Sequence, residues 1–290
     1  GNLTLSLGLR VETWETIQER YTDEIRTAVN ESAGYPKILA DDKETVYGLG
    51  IGYNLQNGYD IFVGFHQGFT PSTGSTSNPE NANNLEIGIR YSGFDINYEA
   101  IYFNTDYKNM FGTCTNASSG VYEGCTIGET FDGGAATISG LEFSASTSFT
   151  NRSGMTFPFT ANFTSTNSAF DTTFTSIYWG DVTEGMKIPN TLDSSLSIAV
   201  GAEALSGWSS YLKITSYGST CSIAACLPNT EIESYSMIDL SISKSLNEDA
   251  DFYFVIDNLS NSSDIVARAP KNGIRTQRPR SFSTGLRYNF

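Results

Sequence analysis

The sequence lacks any run of about 18 apolar residues, so none of its segments can cross a bilayer as a helix. It has one histidine, His66. A multi-histidine metal centre is therefore excluded, no acid–base constellation stands out, and the chain is not expected to be an enzyme or to bind a metal or cofactor. Charge is scarce: Asp, Glu, Lys and Arg make up 17% of residues, below the level of an ordinary soluble surface. Basic charge is scarcer still, with 17 Lys and Arg against 32 Asp and Glu. The formal net charge of −15 argues against a nucleic-acid partner. The four cysteines fall into two local pairs, Cys114 with Cys125 and Cys221 with Cys226, each inside one expected loop. Local pairing without a nearby histidine or third cysteine points to disulfides formed in an oxidising compartment rather than to metal. The sequence opens into a strand at Gly1-Asn-Leu-Thr with no signal peptide, so we expect a C-terminal fragment of an exported protein.

What is abundant is aromatic and small: 18 Phe, 16 Tyr and 27 Gly, with a mean hydropathy of −0.23. These residues alternate with period two along most of the chain. Leu3, Leu5, Leu7, Leu9 and Val11 interleave with Asn2, Thr4, Ser6, Gly8 and Arg10. Tyr47 to Leu55, Ile61 to Phe65 and Leu85 to Tyr91 repeat the pattern, although Phe62 interrupts the polar side of its strand. Further strands are predicted near 94–107, 136–149, 155–168, 191–204, 208–218, 232–245, 250–259 and 279–290, about twelve in all. Short turns such as Asn57-Gly58, Ser92-Gly93 and Ser206-Gly207 alternate with long segments at 14–43, 71–80, 109–134, 170–189, 219–230 and 260–277. A soluble sandwich or propeller has no reason to keep this rhythm. A bacterial outer-membrane barrel does, with short periplasmic turns, long extracellular loops and strands apolar on the lipid side only. The expected fold class is all-β: a transmembrane antiparallel β-barrel, incomplete, forming an open curved sheet rather than a ladder closed between residues 2–12 and 280–290.

An even strand count sends the last strand down to the periplasm. Phe282, Thr284, Leu286, Tyr288 and Phe290 then lie on its apolar face. The polar face carries Gly, Ser, Thr and Asn with Arg10, Glu86, Arg90, Glu99, Glu142, Glu203, Lys213, Asp239, Lys244 and Arg287, and reads as a wet lumen. Tyr53, Tyr91 and Tyr107 are placed in interfacial girdles. His66 is expected at the upper end of a lumen-facing strand, as a structural residue or a ligand contact. The one basic cluster, Arg268, Lys271, Arg275, Arg278 and Arg280, could attract an anionic iron chelate or lipopolysaccharide phosphates, or could pair internally with acids such as Asp264. Trp14, Trp179, Tyr178 and Tyr122 could stack on a ligand or pack loops together.

Several stretches resemble the TonB-dependent outer-membrane transporters, in particular their ferric dicitrate (FecA-like) branch. They are Phe62-Val-Gly-Phe-His-Gln-Gly-Phe-Thr-Pro71, Asn78-Pro-Glu80 with Leu85-Glu-Ile-Gly-Ile-Arg-Tyr91, and Phe103 to Thr115 with Phe131-Asp-Gly-Gly134 and Gly140-Leu-Glu142. Asp257-Asn-Leu259, Ile265-Val-Ala-Arg268 and Arg278-Pro-Arg280 complete the series, so the resemblance spans nearly the whole chain. It implies that residues 1–290 are the C-terminal part of a 22-stranded barrel, with a plug domain and TonB box elsewhere in the protein. It implies import of a ferric chelate, iron entering as substrate, driven by the TonB–ExbB–ExbD complex. It also implies that Gly285, Tyr288 and Phe290 belong to the signal read by the barrel-assembly machinery. A passive diffusion porin and uptake of a non-iron ligand are the alternatives.

Overall fold

Residues 2–71, 78–113, 130–132, 134–176, 180–268 and 273–289 are described in a computed structural model. Cys114, Cys125, Tyr122, Tyr178, Trp179, Lys271 and Phe290 lie outside these residues. The long strands begin with β1 (Leu3–Gln18), β2 (Lys37–Gln56), β3 (Tyr59–Thr70), β4 (Glu80–Ser92) and β5 (Ile96–Lys108). A short pair follows, β6 (Phe111–Thr113) with β7 (Thr130–Asp132), then β8 (Ala136–Thr150) and β9 (Thr156–Phe170). The next short pair is β10 (Phe174–Ser176) with β11 (Gly180–Val182), before β12 (Ser194–Glu203) and β13 (Trp208–Tyr217). The pair β14 (Thr220–Cys221) and β15 (Glu231–Ile232) precedes β16 (Tyr235–Ser245) and β17 (Ala250–Asp257). The pair β18 (Ile265–Ala267) and β19 (Arg275–Thr276) precedes the last strand, β20 (Ser281–Tyr288).

The twelve long strands form one antiparallel sheet in the order β1-β2-β3-β4-β5-β8-β9-β12-β13-β16-β17-β20. The expected count and open ladder are thus observed: β1 and β20 are the two edges and do not pair with each other. The four short pairs all lie in the long connections, on the side opposite the tight turns. One tight turn shows why it is tight. Gln56, Asn57 and Gly58 take φ of 69°, 53° and 88°, the left-handed region that a two-residue hairpin turn needs. At Gly58 a Cβ would meet the carbonyl carbon of Ser92 at 3.2 Å, so the neighbouring turn also requires glycine there.

Directly paired residues of an antiparallel ladder share a face, so the register sorts the side chains. Leu5↔Ile51↔Val63↔Ile87↔Tyr102↔Leu141 runs across six strands as one apolar row. Most of the large exposed apolar residues, including Leu7 at 76%, lie on that face, as lipid contact demands. At its turn end sit Tyr59, Tyr91 and Tyr98, with ring centroids 4.6 Å and 5.2 Å apart in succession, an interfacial belt of the expected kind.

Two assignments change. Lys244 shares the apolar face with Ile242 at the turn end of β16, opposite Trp208, and its ammonium lies 5.7 Å from that ring. A lysine at the interface can snorkel there, so the charge does not imply a lumen position. Tyr107 alternates with Asp106 and Tyr102 onto the other face, so it is not part of a lipid-facing girdle. The loop expected over 14–43 is also shorter. β1 and β2, 16 and 20 residues long, continue pairing well beyond the roughly 9–11 residues that cross a bilayer. Their outer rungs, Glu12↔Glu44 and Glu15↔Asp41, are polar on both faces, so hydrophobic alternation stops where the strand leaves lipid.

Candidate functional site

On the face opposite the lipid row, four aromatics lie over cross-strand glycines: Phe62 on Gly88, Phe103 on Gly140, Tyr211 on Gly201 and Tyr253 on Gly285. Each glycine leaves room for its ring to lie flat along the wall. This explains why Phe62 interrupts the polar pattern, and gives Gly285 a packing role beside any part in an assembly signal. The Arg90 guanidinium sits 5.4 Å from the Phe62 ring centre and donates through Nε to Glu99 Oε2 at 2.5 Å. Arg90, Glu99, Ser144, Ser146, Thr160 and Asn162 line a polar groove of about 480 Å³. Glu86 and Glu142 border a second recess beside it. The wall is therefore polar and predominantly acidic here, as the sequence pattern required.

Near its outer end the same face is not wet. Ala136 and Phe170 are fully buried, and Val182, Ile188 and Ala224 cover them. The covering residues come from the 171–193 and 218–234 connections, which fold together as one body. Lys187 Nζ pairs with Asp193 at 2.5 Å, and Ser219 Oγ donates to the other oxygen of Asp193 at 3.1 Å. Thr220 Oγ1 donates to Thr191 O at 2.8 Å, and Asn190 N donates to Cys221 O at 2.8 Å. Cys221 is bonded to Cys226, as its spacing predicted, with the Cα atoms 5.2 Å apart. Sequence reading missed this loop core. The available signal was Ala136, Ile138 and Phe170 on an otherwise polar face.

The candidate ligand residues are not brought together. His66 is exposed on the lumen face of β3, paired with Asn84 in the third and fourth strands of the sheet order. Arg268 and Arg275 lie between the eleventh and twelfth strands, beside and within the β18–β19 pair. Arg275 is exposed, whereas Arg268 Nε donates to Glu231 O at 2.7 Å in a cleft with Glu231, Glu233 and Asp264. Asp264, named in the sequence as a possible pairing partner, lines the same cleft as Arg268. Trp14 packs on Phe69 with centroids 5.4 Å apart. In the outer connection after β1, hydrogen bonding from Thr27 holds the Asp23 carboxyl below its ordinary range.

With this geometry in hand, the sequence matches the family described as "TonB dependent receptor-like, beta-barrel" over residues 1–259. The chain belongs to that family. Its relatives are outer-membrane proteins of Gram-negative bacteria, which fixes the apolar face as the lipid face and the compartment as the outer membrane. No curated protein matches the sequence. Among solved structures it is similar to the siderophore receptor PiuA from Acinetobacter baumannii, with a TM-score of 0.77, 16% identity and coverage of 99% of this chain and 41% of that one. It is similar to the unliganded ferric citrate transporter FecA, with a TM-score of 0.75, 16% identity and coverage of 99% and 43%. It is also similar to the copper transporter OprC, with a TM-score of 0.73, 13% identity and coverage of 100% and 45%. At these identities the likeness is one of fold. The FecA-like branch is one of several equally similar neighbours, and the chain spans about two-fifths of the length of each of these structures.

In this TonB-dependent receptor barrel, the Asp257-Asn-Leu259 and Arg278-Pro-Arg280 stretches now have a physical reading. Asn258, 3% exposed and at φ 51°, donates through Nδ2 to Ser262 O at 2.7 Å and to Arg278 O at 2.8 Å. Its Oδ1 accepts from Ser262 N at 3.0 Å, and its own N donates to Asp239 Oδ1 at 2.9 Å. One side chain thus ties both ends of the last outer connection to the lumen wall. Asn258→Ala leaves these buried groups unpaired, a cost of about 1–3 kcal/mol. We expect faster proteolytic cleavage within 259–280 and an unchanged cleavage rate in the 171–193 connection.

Proposed function

We propose that this chain is part of an outer-membrane receptor that takes up a ferric chelate with energy supplied through TonB, the outer loops binding the ligand and the barrel forming its path. The observation that carries the reading is the wall itself: an apolar lipid face, a polar inner face and long folded connections at one end, in a chain of the TonB-dependent receptor family. In this reading the plug domain and TonB box lie elsewhere in the protein. Its partners are the plug, outer-membrane lipid and lipopolysaccharide, the TonB–ExbB–ExbD complex and the barrel-assembly machinery. The reading does not include an enzymatic step, a bound cofactor or a nucleic-acid partner.

Ferric citrate and siderophores are the chelates to test first, given the ferric citrate transporter and siderophore receptor among the similar folds. A non-iron ligand is the second reading, favoured by the similarity to a copper transporter. The test is radiolabelled iron uptake by iron-starved cells carrying the full-length receptor, with and without TonB. We expect uptake of at least one ferric chelate that stops when TonB is removed. Uptake that persists without TonB would mean a passive pore instead. TonB-dependent uptake of copper but of no ferric chelate would select the second reading.

A further inference from the structure

The cleft between the last two outer connections has a composition that a passive loop surface does not require. Pro228, Glu231, Glu233 and Ser234 come from one connection, and Asp264 and Arg268 from the other. Its volume of about 210 Å³ holds roughly seven water-sized groups, and is smaller than the ~300–1,000 Å³ of sites that enclose a whole drug-sized ligand. A ferric chelate does not fit, but a head group does.

The charges are bipolar. Arg268 uses Nε on Glu231 O, which fixes the guanidinium plane and leaves its terminal nitrogens for a carboxylate. On the acidic side, Glu233 has no hydrogen-bond or ion-pair partner among the described residues. Asp264 receives Ser262 Oγ on one carboxylate oxygen. Gln277, 6% exposed, braces the acidic side: its N donates to Asp264 O at 2.9 Å and its Nε2 donates to Ser236 O at 3.1 Å. Carboxylates call for an ammonium, and a fixed guanidinium calls for a carboxylate a few ångströms away.

We propose that this cleft binds an α-amino acid group, the ammonium against Glu233 and Asp264 and the carboxylate against Arg268. The proposal rests on the uptake reading and specifies the chemistry of one group on its ligand. The group has two possible sources, a free amino acid or the tip of a larger chelate.

The test is titration calorimetry on the purified full-length receptor with L-alanine, its methyl ester and its N-acetyl form. A parallel arm uses a ferric trihydroxamate chelate bearing a free α-amino acid head, with the N-acetylated chelate as control. We expect blocking either charge to weaken binding by about tenfold or more in at least one arm. A preference in the first arm identifies a free amino acid, and one confined to the second identifies a chelate tip. Glu233→Gln, which breaks no observed bond, should weaken the preferred probe by a similar factor without moving the melting temperature. Arg268→Gln, which also removes the bond to Glu231 O, should weaken binding through the carboxylate half. Equal binding of free and blocked forms in both arms, or an unaffected Glu233→Gln variant, overturns the proposal. If that happens while iron uptake still needs TonB, the uptake reading stands alone. If the cleft binds as expected but uptake ignores TonB, the uptake reading fails instead.

Discussion

Ile87→Lys should block barrel assembly, while Glu86→Lys, one residue away, should be tolerated. Ile87 belongs to the apolar row and is 51% exposed on the lipid face. It lies four residues along β4 from Tyr91 of the interfacial belt, roughly 10 Å into the hydrocarbon at the usual strand tilt. A lysine at that depth costs about 2–4 kcal/mol, a shift of about 30-fold or more in the folded-to-unfolded ratio. Glu86 faces the polar recess, where water solvates either charge. The measurement is the folded fraction of the full-length receptor refolded into lipid vesicles across a urea series. Similar losses for both variants would remove the two-faced wall.

Gly88→Ala should destabilise the barrel by about 1–3 kcal/mol, far more than an alanine costs at an open strand position. A Cβ at Gly88 would lie 2.8 Å from Phe62 Cε1, and the ring is pinned between the glycine and the Arg90 guanidinium. Phe62→Ala alone loses that packing. In the double variant the methyl group meets no ring, so the two losses should combine to less than their sum by about 1 kcal/mol or more. Gly64, where an added Cβ has nothing within 4 Å, serves as the control and should tolerate alanine. Additive losses at positions 62 and 88 would show that the ring and the glycine do not depend on each other.

The wall was legible because the bilayer imposes a strict rule. Lipid on one side and water on the other force a period of two, and Leu3 to Val11 or Leu85 to Tyr91 display it directly. Legibility ended where either solvent condition ended. Above the membrane both faces of β1 and β2 meet water, so Glu12, Glu15, Asp41 and Glu44 look like loop although they are paired strand. On the inner face at the outer end, folded loops replace water, so Phe170 and Ala136 are buried where polarity was expected. Lys244 misled because a long side chain can stand on the apolar face and still reach water. The spacing of Cys221 and Cys226 revealed their bond. Nothing in the sequence marked the hydrophobic core beside it, because Val182, Ile188 and Ala224 are scattered over more than 40 residues and meet only in the folded loops. The candidate ligand residues were the least legible: His66 and Arg268 were chosen by residue type, and the sheet order separates them.

The most direct test of this account is a spin-label scan from Leu85 to Tyr91 in the full-length receptor in membranes. Collision with lipid-soluble oxygen should be high at positions 85, 87, 89 and 91. Collision with a water-soluble nickel complex should be high at 86 and 90, with Gly88 left unlabelled because the Phe62 ring covers it. Strict alternation is the predicted result. Uniform accessibility to the aqueous reagent, or oxygen contact at the even positions, would contradict a strand that separates lipid from a wet lumen.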